Sequence, residues 1–176
     1  IDASNYYGIT VANGMLGVIS SPEPLKVKEV VLAGVYDYYG RGRVSNFLPS
    51  FNLLNMKMSI AGSSVNASCI SDFKQQLDMS TGEFSGSFTL KDIATVSYRY
   101  YALRHLPHTV LMDVSVKMKK NGRLSVDNLL ETPSSLRDQQ NYFNELDKSH
   151  VWIPLLTSTA KSPSGNITIA ASTTFL

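Results

Sequence analysis

Along most of this chain apolar and polar side chains alternate with a period of two, and that constrains the fold more than any other feature. Leu54, Met56, Met58 and Ile60 share one face of a run, with Asn55, Lys57 and Ser59 opposite. Phe73, Gln75, Leu77 and Met79 face away from Lys74, Gln76 and Asp78. Phe84, Phe88 and Leu90 alternate with Glu83, Ser85, Ser87 and Thr89. The pattern repeats through Val96, Tyr98, Tyr100 and Ala102, then through Val110, Met112, Val114, Val116 and Met118. Successive side chains of a strand point to opposite faces, so each run reads as a strand with one buried side. About ten such candidates, spaced by short turns, predict an all-β fold: an antiparallel β-supersandwich of two stacked sheets.

The connections carry their own expectations. Ala61–Ser64 reads as a turn, followed by a strand with Val65, Ala67 and Cys69 facing inward. Ser80-Thr81-Gly82 reads as a second turn, because glycine reaches positive φ without a steric penalty. Asp78, one residue before it on the polar face, is expected to be solvated or to accept hydrogen bonds from turn amides. Leu111, on the polar face of its run, suggests some burial there too. Residues 41–50 read as a loop. Leu136, Phe143 and Leu146 recur at near-helical spacing, and Ser135 followed by Asp138 resembles a capping box, so one short helix or a structured loop is expected within 134–147. Pro154 within the apolar run 151–157 predicts an edge or bulge there. Ile167, Ile169, Ala171 and Phe175 close the chain as a last strand.

Composition bounds the rest. With 176 residues, 43% hydrophobic and 17% charged, the chain holds enough apolar material for one core, and a single domain over 1–176 is expected. The net charge is +2, and the densest basic cluster, Lys117, Lys119, Lys120 and Arg123, surrounds a turn at Asn121-Gly122. It reads as a solvated hairpin end, so no nucleic-acid partner is expected. The longest apolar run, 30–35, is broken by Gly34 and far too short for a membrane span. A single cysteine, Cys69, excludes an internal disulfide and a thiolate metal cluster. The chain begins at Ile1 without an initiator methionine, which reads as a mature or trimmed form. Asn66-Ala67-Ser68 and Asn166-Ile167-Thr168 are glycosylation-type sequons, meaningful only in a eukaryotic secreted chain. The compartment stays open between cytoplasmic and periplasmic or secreted.

Few residues offer chemistry. His105 and His108 flank Leu106-Pro107, and His150 stands apart; no spacing marks a third metal ligand. There is no phosphate-binding glycine loop and no Gly-x-Ser-x-Gly elbow, and no cofactor is expected. Asp37, Asp78, Asp92 and Asp113 have no acidic neighbour at short range, so paired-carboxylate chemistry would have to be assembled by the fold. Tyr36, Tyr38 and Tyr39 surround Asp37, and Tyr98, Tyr100 and Tyr101 form a second group. Aromatic faces beside polar groups suit sugar rings, although tyrosines also fill sheet faces. Tyr36 and Asp37 are the candidate substrate-binding residues; no catalytic or metal-binding residue is assigned.

Five segments, in order, resemble one family. Ala12–Val18 (ANGMLGV) looks like the Asn-Gly-x-x-Gly opening strand of glycoside hydrolase family 65, and Leu32–Asp37 (LAGVYD) resembles the segment after it. Residues 52–66 are similar to the strand and hairpin that lead to the family's Leu-Asp-Met element, present at Leu77-Asp78-Met79. Residues 96–116 resemble the strand pair that follows. The family includes maltose, trehalose and kojibiose phosphorylases and acid trehalases. The resemblance covers only its N-terminal β-supersandwich, which in the family precedes a helical linker and a catalytic (α/α)6 barrel. It implies a non-catalytic N-terminal domain of an inverting α-glucoside hydrolase or phosphorylase, whose general-acid glutamate lies in the barrel. The implied role is to pack on that barrel and shape substrate access or a homodimer contact. The implied partners are the barrel itself and α-linked glucose disaccharides or oligosaccharides. A free-standing carbohydrate-binding β-sandwich is the alternative. The chain is shorter than a complete family sandwich, so a trimmed fragment is a further expectation.

Overall fold

The computed structural model describes residues 2–38, 44–148 and 150–176. These form fourteen strands and one short 3-10 turn, Ala3–Asn5, with no α-helix. Every strand pairing described is antiparallel. The chain divides into two compact units, Ile1–Ala33 with Leu54–Leu129, and Gly34–Leu53 with Leu130–Leu176.

The first unit is a sandwich. One layer is the sheet formed by β7 (Ile70–Asp78), β8 (Glu83–Leu90), β9 (Ala94–Ala102) and β10 (Val110–Met118), in the order β10–β9–β8–β7. Opposite lie β1 (Thr10–Ala12), β2 (Leu16–Ser20) and the first half of β3 (Val27–Tyr38), together with a small sheet. That sheet contains β5 (Met56–Ile60), β6 (Ser63–Ser64) and β11 (Leu124–Asn128), in the order β11–β5–β6. Val18, Val27 and Val30 from one side, Met58 and Ile60 from the small sheet, and Phe84, Phe88, Val96, Tyr98 and Tyr100 from the other side form one buried cluster. The predicted alternation holds closely in β8 and β9, where each apolar residue of the pattern is buried up to Tyr100. Phe84 and Tyr100 stack with ring centroids 4.5 Å apart. Burying one such ring stabilises the fold by roughly 1.5–3 kcal/mol. Gly86 makes room for this packing, since a Cβ there would fall inside the Tyr98 ring.

At the β7–β8 turn Gly82 has φ 70°. Asp78 caps that turn, accepting from the amide and hydroxyl of Ser80 at 2.8 and 2.7 Å. These donors hold its carboxyl below the usual range. Both expectations for this hairpin are met, except that Met79 is 87% exposed. The strand ends at Asp78, so the alternation no longer dictates where Met79 points.

Other expectations for this unit need correction. Cys69 is exposed: residues 67–69 form a turn, with the Asn66 side chain accepting from the Ser68 amide and hydroxyl. Leu111 is exposed, because the outer face of β10 carries no covering layer within this unit. Asn55, placed on the polar face, is buried; its side-chain oxygen accepts from the Val27 amide at 2.7 Å, a donor that burial would otherwise leave costly. The basic segment 119–123 does not close a hairpin: β10 pairs with β9 while β11 pairs with β5, so it carries the chain between sheets.

The second unit contains the rest of β3, β4 (Ser45–Pro49), β12 (Arg137–Lys148), β13 (Val151–Lys161) and β14 (Thr168–Thr173), the last three forming a sheet with β13 central. Leu48, Phe51, Leu53, Leu136, Ala160 and Ile169 are its buried apolar residues. Asn52 and Glu131 exchange two backbone hydrogen bonds, each 2.9 Å. Two expectations fail here. Ser45–Pro49 is a strand rather than a loop, while 41–43 lie outside the described residues. No helix occupies 134–147: Arg137–Lys148 is a strand paired along β13. The apparent helical spacing came from apolar residues on both faces of one strand, since Phe143 and Leu146 lie an odd number of residues apart. Asp138, read as a capping residue, instead takes φ 54° at a register shift between Arg137 and Gln140. Pro154 pairs with Glu145 but lies beyond the part of β13 that meets β14, so among the described residues it sits on an edge, as expected.

Candidate functional site

β3 in the second unit presents Tyr36 and Tyr38 to one side and Asp37 to the other, as strand geometry requires. Tyr36 is 44% exposed and Tyr38 more so; the third tyrosine of the group, Tyr39, lies outside the described residues. The Tyr36 ring meets that of Phe47 on β4 at a centroid distance of 4.6 Å and a tilt of 41°. Phe47 is 60% exposed, so the pair offers an accessible aromatic surface. The sequence reading missed Phe47, because residues 41–50 read as a loop with no defined facing.

Asp37 is only 5% exposed. One carboxylate oxygen accepts from the Ser164 amide at 3.0 Å and the Ser164 hydroxyl at 2.6 Å, and the other from the Tyr38 amide at 2.7 Å. Hydrogen bonds from Ser162 and Ser164 hold the carboxyl well below the usual carboxylate range. Ser162 is itself buried and receives the Ile167 amide, so Asp37 fastens β3 to the turn between β13 and β14. A carboxylate so engaged stays ionised and is a poor proton donor at neutral pH.

The other candidates do not converge. Asp113 and Glu83 both reach Arg99, at 3.0 and 3.8 Å, on the exposed face of the β7–β10 sheet. Tyr101 donates to Glu83 at 2.5 Å. The arrangement is solvated, unlike the enclosed pair of carboxylates that glycoside hydrolysis uses. A groove of about 450 Å³ runs over this face, floored by Ser85, Ser87 and Ser97 and flanked by Gln76, Arg99 and Asp113. Among the described residues no three His, Cys, Asp or Glu side chains are grouped to hold a metal ion. His105, His108 and His150 are exposed. Burial pushes the Tyr98 hydroxyl up to about 12 and Tyr100 upward as well, and both tyrosines belong to the core. No helix is long and apolar enough to cross a membrane among the described residues.

The profile of the glycosyl hydrolase family 65 N-terminal domain matches residues 8–175. The chain is 62% identical over 175 residues to a kojibiose hydrolase of Flavobacterium johnsoniae, covering 99% of this chain and 26% of that protein. It is 54% identical over 176 residues to a kojibiose hydrolase of Mucilaginibacter mallensis, covering 100% of this chain and again 26% of the relative. The chain therefore spans about a quarter of the length of the curated relatives it matches. With a family match over nearly its whole length and an all-antiparallel β architecture, the chain belongs to glycosyl hydrolase family 65, as its N-terminal domain.

Proposed function

We propose that this chain is the non-catalytic N-terminal domain of a longer hydrolase that cleaves kojibiose, and that it packs on a catalytic (α/α)6 barrel and shapes access to it. The observation that carries the reading is the 62% identity to a kojibiose hydrolase across 99% of the chain. The arrangement of the site supports the division of labour, since Asp37, the one strongly perturbed carboxylate among the described residues, is committed to backbone and hydroxyl donors of its own unit. In this reading a barrel glutamate protonates the leaving oxygen and water attacks with inversion. Homodimer formation through this domain belongs to the same proposal.

The test uses the full-length protein and the 176-residue chain side by side. Full-length protein given kojibiose should release glucose without phosphate and form no glucose 1-phosphate when phosphate is added. The 176-residue chain should release none. Phosphate-dependent formation of the sugar phosphate would replace the hydrolase with a phosphorylase. Glucose release by the short chain would overturn the non-catalytic role.

A second reading, direct sugar binding by this domain, rests on the exposed Tyr36–Phe47 pair. Tyr36 would supply a ring face to the sugar, and Asp37, one residue on, would fix that strand through Ser164. A glucose disaccharide titrated at millimolar concentration should then change tyrosine and Trp152 fluorescence saturably, and Tyr36→Ala should abolish the change. A flat titration refutes sugar binding by the isolated domain.

A further inference from the structure

β12 and β13 form a long two-stranded ribbon whose apolar side chains occupy both faces. Directly opposed residues of an antiparallel pair share a face. Leu146–Ile153 and Asn144–Leu155 therefore line one side, joined by Tyr142. Phe143–Leu156, Glu145–Pro154 and Asp147–Trp152 line the other. None of these apolar residues is buried, and Phe143 and Trp152 are 66% and 60% exposed. β14 meets β13 only from Leu156 to Lys161, so beyond Phe143 and Leu156 no third strand joins the ribbon among the described residues. A two-stranded ribbon is marginal in water by itself, and a ribbon lying on a surface needs only one apolar face. Exposed apolar patches rimmed by polar groups mark interaction surfaces. Two apolar faces require cover on both sides.

We propose that the 142–156 ribbon is a docking arm, clasped on both faces by the part of the longer polypeptide that lies outside this domain. The relatives supply the argument for that occupant: about three quarters of each lies beyond the matched region, ample to enclose an arm. A second copy of the chain is the competing occupant. The inference rests on the reading of the chain as one domain of a longer enzyme, and names which segment makes the attachment.

Hydroxyl-radical footprinting of the full-length protein tests it, with the urea-unfolded protein as reference and Tyr7, 86% exposed in the first unit, as an internal control. Trp152, Phe143 and Leu146 should lose most of the reactivity they show in the unfolded reference, as buried side chains do, at every protein concentration. Three results would each overturn the proposal. One is reactivity near the unfolded reference at Trp152 and Phe143. The second is protection that disappears on dilution to monomer, which assigns the arm to a second copy. The third is protection confined to one face, Leu146 remaining reactive while Phe143 is shielded. Kojibiose hydrolysis measured on the same sample keeps the two proposals apart: an active enzyme with a reactive arm rejects only the arm, and a protected arm without hydrolysis rejects only the activity.

Discussion

The β8–β9 pair and the β12–β13 pair draw on the same residue types and use them in opposite ways. In β8–β9, Phe84, Phe88, Val96, Tyr98 and Tyr100 share one face, with serines, threonines, Glu83, Arg99 and Tyr101 on the other, so a single apposed layer buries the whole apolar set. In β12–β13, Phe143 and Trp152 occupy one face and Tyr142 and Leu146 the other, and all four remain exposed. Segregation of polarity makes a sheet self-sufficient within its unit. Its absence leaves apolar area that stabilises nothing in this domain and is available to a neighbour.

Removing rings tests that contrast most directly. Phe84→Ala should cost about 3–5 kcal/mol in urea unfolding of the 176-residue chain, through lost burial and the cavity left against Tyr100. A cost below about 1 kcal/mol would mean that the buried sheet is no better packed than the ribbon. Two changes of intermediate size probe how tightly the first unit is built. Gly86→Ala forces a methyl into the Tyr98 ring and should cost about 1–3 kcal/mol. Asn55→Ala removes the buried acceptor that the Val27 amide uses and should cost a similar ~1–3 kcal/mol.

The second unit should instead show its dependence on a polar clamp. The Asp37 carboxyl is held low by Ser162 and Ser164, so its contribution is present above the ordinary value of 3.8 and is lost as pH falls through the lowered folded value. Asp37→Asn should lower stability at neutral pH and flatten the acid dependence in the window between the ordinary value of 3.8 and the lowered folded value. Unchanged acid unfolding curves would remove Asp37 from the account. Smallest of all, Phe143→Ser in the isolated chain should stay within about 0.5 kcal/mol of the parent, since the ring is already in water. A loss comparable to that of Phe84→Ala would show that the ribbon is buried within the domain after all.

What could be read in advance followed the same division. Alternation located β5, β7, β8, β9 and β10, because a strand with one wet and one dry face writes its geometry into every second residue. It misled at β12, where apolar residues on both faces of a strand mimic helical spacing, and at β4, where Ser45, Asn46, Phe47, Leu48 and Pro49 do not alternate. At the candidate site, only the adjacency of Tyr36 and Asp37 followed from the sequence. The partner ring of Phe47 and the tie from Asp37 to Ser164 did not, being contacts across 11 and 127 positions of sequence that no local pattern encodes.

By itself the sequence determined the class of fold, the antiparallel hairpins of the first unit and the inward set of their side chains, because burial of one strand face is a local, periodic property. Tertiary structure alone decided that Asp37 clamps a distant turn, that Asn55 serves a buried amide, and that the apolar residues of 142–156 stay unburied. Those outcomes depend on which groups long-range pairing brings together and which it leaves without cover, and hydrogen bonding and burial are satisfied in space rather than along the chain.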